Sequence, residues 1–110
     1  CPYNSPHDNI RHLRFQAANR CAGAIMARGE FIFSPISHTH PIAEQCELPK
    51  GWEFWSDYDR AIISRCTKVY VLVIDGWMES VGVAAELKIA SELNLPVEYV
   101  NEDGNTWPEP

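Results

Sequence analysis

The run KVYVLVID, Lys68 to Asp75, constrains the chain most. Its apolar residues do not alternate with polar ones. A strand with one wet face alternates, whereas a strand covered on both faces is apolar throughout, as in parallel sheets. The turn GWMES follows, then a helical pattern from about Ser80 to Leu93, then the short strand LPVEYVN. A strand, a helix and a second strand in that order make a parallel pair with a crossover helix.

Upstream the pattern repeats. A helix is expected from Asp8, as its cap, to about Arg28, with Gly29 as stop signal. Ile10, Leu13, Ala17, Cys21, Ala24 and Ile25 form its inner stripe. EFIFS reads as a short strand ended by Pro35, and SPISHTHPIAEQCELPKG as a polar loop with one helical turn after Pro41. A second helix is expected from about Glu53 to Cys66. With one more strand ahead of CPYN, outside this numbering, the order becomes a repeating βα unit. It predicts an α/β fold, a three-layer Rossmann- or flavodoxin-like domain with helices on both faces of a parallel sheet. The 110 residues suit a single domain, 1–110, with a loosely held polar tail from about residue 102.

Two helices share an anomaly. Val83, Leu87, Ala90 and Leu93 lie on one helical face, and Glu86 falls among them by its angle. In the earlier helix Trp55, Ile62, Ile63 and Cys66 form the stripe, and Asp59 sits in its middle. An unpaired buried charge costs several kcal/mol or shifts its pKa. In a parallel α/β fold the starts of these helices meet at the carboxyl edge of the sheet, where ligands bind. A shared cleft explains both carboxylates. The alternative is structural, with Asp59 and Glu86 capping turns or pairing with Arg14, Arg20 or Arg28.

Ser80 and Gly82 open the last helix, where free N–H groups and a bare backbone can hold a phosphate or a sugar hydroxyl. Ser80 as a plain helix cap is the other reading. Trp52, Phe54, Trp55 and Tyr58 in GWEFWSDY serve either core packing and a subunit contact or stacking on a nucleobase. His38 and His40 form an H-x-H pair without a third ligand at useful spacing, so no metal is expected. The formal net charge of -6 argues against a nucleic-acid polymer as partner. The cysteines Cys1, Cys21, Cys46 and Cys66 form no C-x-x-C pair, and Cys21 and Cys66 fall on apolar faces as free thiols. No signal-peptide pattern or membrane-spanning run is read, so a cytoplasmic location without membrane contact is expected.

At SVGVAAE, Ser80 to Glu86, the chain resembles the nucleoside 2-deoxyribosyltransferase superfamily, which includes N-glycosidases acting on deoxynucleoside monophosphates. The shared pattern is Ser or Asp, any residue, Gly, three residues and a Glu, behind a hydrophobic strand, with an Asp about one helix earlier. Asp59 takes that place. CPYNSP, FSPISHTHPIAE, WEFWSDYDRAI and GWMESVGVAAELKIA look like a narrower branch of short bacterial and phage proteins, catalogued as a domain of unknown function. The resemblance implies cleavage or transfer at the N-glycosidic bond of a nucleoside or nucleoside 5′-monophosphate, without a cofactor. Glu86 is then the nucleophile and Asp59 the group that protonates or orients the leaving base. Ser80 and Gly82 hold the 5′ end, and Tyr3, Asn4, His38 and Trp55 line the substrate. Glu86 must then be ionised near neutral pH, with the helix terminus and hydrogen bonds from Tyr3 or Ser80 opposing the effect of burial. The resemblance also implies a homo-oligomer, a dimer or tetramer. A non-catalytic nucleotide sensor built on the same cleft and, more weakly, a dinucleotide hydrolase are the competing functions.

Overall fold

The computed structural model describes residues 1–108. The elements run α1 (Asp8–Ala27), α2 (Pro35–Cys46), α3 (Trp52–Ile63), β1 (Val69–Leu72), α4 (Val81–Glu92) and β2 (Val97–Val100). The fold is mixed α/β. β1 and β2 pair in parallel, with Val69 opposite Val97 and Leu72 opposite Val100. α4 is their crossover, as the apolar run of β1 requires. Leu72 and Val100 pack against Ala17, Ala18, Cys21 and Ile25 of α1 on one face. Val71 points the opposite way and is only 3% exposed, so β1 is covered on both sides.

Three expectations are corrected. EFIFS forms no strand: residues 30–34 take no regular secondary structure, with Phe31 fully exposed and Phe33 partly so. A strand needs a neighbour's backbone, and no backbone hydrogen bond ties this segment to β1 among the described residues. The polar loop is instead a helix, α2. Ser34 caps it by accepting from the Ser37 amide, and Pro35 sits in the first turn, where its missing N–H costs nothing. Pro41 lies inside α2, and the helix survives it because Ala43 and His40 are buried there. Glu47, in the left-handed conformation, ends it.

The tail is the third correction. Asn101 Oδ1 accepts from the amides of Asp103 and Asn105, and the Trp107 amide donates to Tyr99 O. Gly104 has φ +77, and a Cβ there would lie 3.2 Å from Ile25. The Trp107 ring meets Trp77 edge-on. The tail is polar in composition but fastened by an Asx turn and a close glycine contact.

The inner face of α1 is also rotated at its start. Asp8 is not the cap: His7 takes that position without a side-chain bond, and Asp8 pairs with Arg11. Arg11 is buried, whereas Leu13 is 57% exposed. The first turns of α1 face the polar groups of α2 rather than the sheet. Cys21 is buried as expected, Cys66 is half-buried, and all the cysteines are free. No helix among the described residues is long and apolar enough to cross a membrane.

Candidate active site

A cavity of about 610 Å³ opens where α3 and α4 begin. Its wall includes Tyr3 and Asn4 from the first loop, Trp52, Trp55 and Asp59 from α3, and Ser80, Gly82 and Glu86 from α4. α3 and α4 pack on each other, and Arg60 bonds Glu92 at 3.1 Å on their outer side. That packing turns Asp59 and Glu86 toward one another. Asp59 is 9% exposed. The two carboxyls face one another closely enough to share a proton.

Burial dominates the electrostatics. It raises the Asp59 pKa, and it pushes Glu86 up to about 7. The neighbouring Asp59 carboxyl adds to the rise at Glu86. Near pH 7 Glu86 therefore stands between its protonated and ionised forms, whereas a nucleophile has to be ionised. Of the anticipated help, the Tyr3 hydroxyl is engaged elsewhere, paired with His40; the Ser80 oxygen accepts from the Val83 amide at 3.1 Å and its O–H remains available as a donor. The structural alternative also loses its partners. Arg14 donates to the carbonyls of Asn4 and Asp75, Arg20 pairs with Glu102, and Arg28 with Glu30. Neither carboxyl caps a helix, because both lie within one.

Arg14 has a role of its own. Its guanidinium ties the first loop to the turn after β1, so Tyr3 and Asn4 are held beside the start of α4. Gly76 in that turn has φ +91, a left-handed conformation that favours glycine, and a Cβ there would push into the Arg14 guanidinium. Trp77 turns away from the cavity onto Tyr99 and Trp107.

Of the residues expected to line the substrate, Tyr3, Asn4, Ser80, Gly82 and Trp55 reach the cavity and His38 does not. His38 lies outside it, stacked on Tyr58 and tilted against Phe33. His40 reaches it instead, together with Thr39, Lys50 and Trp52. Two residues apart on a helix, His38 and His40 point in widely different directions. The signal that reveals this is Ser34-Pro35, a cap followed by proline, which starts α2 and sets its phase. Among the aromatics Trp52 and Trp55 line the cavity; Phe54 and Tyr58 pack edge-on against Trp55. Among the described residues no group of three His, Cys, Asp or Glu is placed to hold a metal ion.

The profile of one protein family, described as a domain of unknown function (DUF1937), matches residues 1–102. The chain belongs to the DUF1937 family. No curated protein matches it. The matched DUF1937 span includes every residue named above as lining the cavity.

Gly82 allows a direct check of the helix terminus. A Cβ there would lie 3.8 Å from both Ser80 Oγ and Trp52, an ordinary contact. Gly82→Ala is therefore expected to fold with a Tm within a few degrees of wild type. Its methyl group crowds a ligand approaching the first turn of α4. For a nucleotide held at this terminus, as the sequence resemblance leads one to expect, affinity measured by calorimetry should fall about tenfold, a difference of ~1.4 kcal/mol. Unchanged binding would remove Gly82 from the ligand site.

Proposed function

We propose that this protein cleaves, or transfers the sugar from, the N-glycosidic bond of a nucleoside or nucleoside 5′-monophosphate through a glycosyl ester on Glu86. The observation that carries the reading is the closely facing Asp59–Glu86 pair at the wall of a cavity that also takes in the start of α4. Two carboxyl groups around an anomeric carbon are the usual equipment for glycosidic chemistry. The resemblance around Ser80-x-Gly82-x-x-x-Glu86 points the same way. In this reading β1, α4 and β2 form part of a doubly wound three-layer domain.

The pair carries one proton in the working state. Burial leaves that proton mainly on Glu86, whose pKa is about 7. Transfer between the two carboxyls gives a Glu86 carboxylate and a protonated Asp59. Substrate entry then separates the two groups. Glu86 attacks the anomeric carbon, and the C–N bond breaks with its electrons leaving on the base. Asp59 gives its proton to that base. Water, deprotonated by Asp59, next attacks the anomeric carbon; it frees the sugar and restores Glu86. With a second base as acceptor the same step is a transfer. Trp52 and Trp55 offer faces for the base, and the start of α4 an anchor for a 5′-phosphate.

The test is incubation with ribo- and deoxyribonucleosides and their 5′-monophosphates, with free base followed by chromatography. Release of base from at least one is expected. Its rate should fall as pH rises above about 7, because the pair then loses its shared proton. Binding without release favours the non-catalytic sensor, for which a neutral Glu86 is equally a hydrogen-bond donor. No binding and no release would refute both.

A further inference from the structure

We infer that His40 is a positioning residue for Tyr3, fixing the Tyr3 hydroxyl oxygen as a hydrogen-bond acceptor for a sugar hydroxyl in the cavity. The sugar half rests on the glycosidic reading above; the His40–Tyr3 half does not.

His40 sits on the inner side of α2 with 6% exposure. Its Nδ1 lies 2.5 Å from the Tyr3 hydroxyl, and both residues line the cavity. The ring has little freedom. Phe15 stacks on it with centroids 4.4 Å apart, and Tyr3 meets it edge-on at 5.4 Å. Behind it, Glu44 Oε1 lies 4.0 Å from Nδ1 and 3.9 Å from Arg11 Nε. Arg11 is itself buried and donates to Ser5 O. An aromatic clamp, with a half-exposed Glu44 and a buried Arg11 behind it, thus holds a histidine that contacts a cavity-lining phenol. No cap or core function calls for that arrangement.

The direction of the Tyr3–His40 bond follows from what faces each group. Around His40 stand Glu44 on α2, Arg11 and His12 on α1, Lys50 beyond α2, and Tyr3 itself. Burial lowers the imidazole pKa, Glu44 opposes this, and His12, Arg11 and Lys50 lower it further. Burial and Glu44 raise the Tyr3 pKa, so the phenol keeps its proton. A neutral imidazole accepts that proton's hydrogen bond at Nδ1 and carries its own hydrogen on Nε2. The single donor of Tyr3 is then committed, and its oxygen lone pairs are left for the cavity. Such a group accepts from a hydroxyl and disfavours an anion. It therefore sorts the two ends of a nucleotide, with a sugar hydroxyl at Tyr3 and the phosphate at the start of α4.

Two measurements on the full chain test this. In the nitrogen NMR spectrum of histidine-labelled protein at pH 7.5 (about a unit above an ordinary histidine pKa), His40 is expected as the Nε2–H tautomer. Tyr3→Phe should shift its Nδ1 resonance. An Nδ1–H tautomer, or no change in Tyr3→Phe, overturns the positioning role. The second measurement uses 2′-deoxynucleoside 5′-monophosphates as probes. Tyr3→Phe and His40→Leu should each lower kcat/KM about tenfold, as expected for one lost hydrogen bond. The double variant should be no worse than Tyr3→Phe. His40→Asn, which keeps an acceptor near the Nδ1 position, should recover most of the loss and guards against misfolding of His40→Leu. Wild type should discriminate against the 2′,3′-dideoxy analogues, and Tyr3→Phe should not. Additive losses, or equal discrimination by both proteins, overturn the proposal. If no monophosphate is bound or turned over, the sugar half falls with the glycosidic reading, and the spectrum still decides the His40–Tyr3 half.

Discussion

Glu86→Gln is expected to abolish base release while leaving the protein folded and able to bind nucleotide. Gln is close to Glu in size and hydrogen-bonds to Asp59, so the α3–α4 contact keeps its shape. What it lacks is the charge and the nucleophilic oxygen. The turnover lost should be at least about 10³-fold, in the range seen when a covalent nucleophile is removed. Asp59→Asn should lose less, on the order of 10²-fold, because it removes proton transfer and not the bond-forming group. The pattern to look for is loss of kcat with KM little changed, read from initial rates on whichever substrate releases base. Wild-type turnover by Glu86→Gln would exclude a covalent route.

The same substitution should stabilise the protein above neutral pH. Burial pushes the Glu86 carboxyl from an ordinary 4.5 up to about 7. A group whose folded pKa is raised adds its full stability below its unfolded pKa and loses it as pH climbs through the folded value. Wild type should therefore weaken between pH 4.5 and about 7, and remain weakened above that, relative to Glu86→Gln. At pH 8 the difference should be of order 3 kcal/mol in favour of the variant, shrinking toward zero near pH 4. Urea denaturation of both proteins at the two pH values measures it. A variant less stable than wild type at pH 8 would mean that the ionised carboxylate holds the fold together. A functional carboxylate kept at a cost in stability is the trade found at many active sites.

How much of this was legible in the sequence depended on where each residue's partner lay. β1 and α4 were readable because their signals are local: an unbroken apolar run, a Ser cap and a helical stripe. The inward phase of Asp59 and Glu86 needed only that periodicity, and the structure brings the two into contact. α2 was hidden because Pro41 and the histidines of SHTHP suggested a loop, while what stabilises the helix is burial of Ala43 and His40 against distant residues. Without the phase of that helix, nothing in the sequence tells that His40 rather than His38 faces the cavity. EFIFS looked like a strand by composition, but pairing depends on a neighbour that composition does not reveal. The tail looked loose because its fastenings, Gly104 on Ile25 and Trp107 on Trp77, join residues far apart in the chain. The shift of Glu86 to about 7 was out of reach for the same reason, since it depends on how deeply three elements bury one carboxyl.

The central claim is that Glu86 forms a bond to a sugar, and trapping tests that bond directly. The protein is incubated with 2′-fluoro-arabinosyl nucleoside 5′-monophosphates of the common bases. The fluorine destabilises the oxocarbenium-like transition states and should allow the ester to accumulate when its hydrolysis is slowed more than its formation. Peptide mass spectrometry is expected to find one fluorosugar phosphate on the peptide containing Glu86, absent from Glu86→Gln. Base release from the natural monophosphates with no adduct, or with the adduct on another residue, would contradict the assignment of Glu86 as nucleophile.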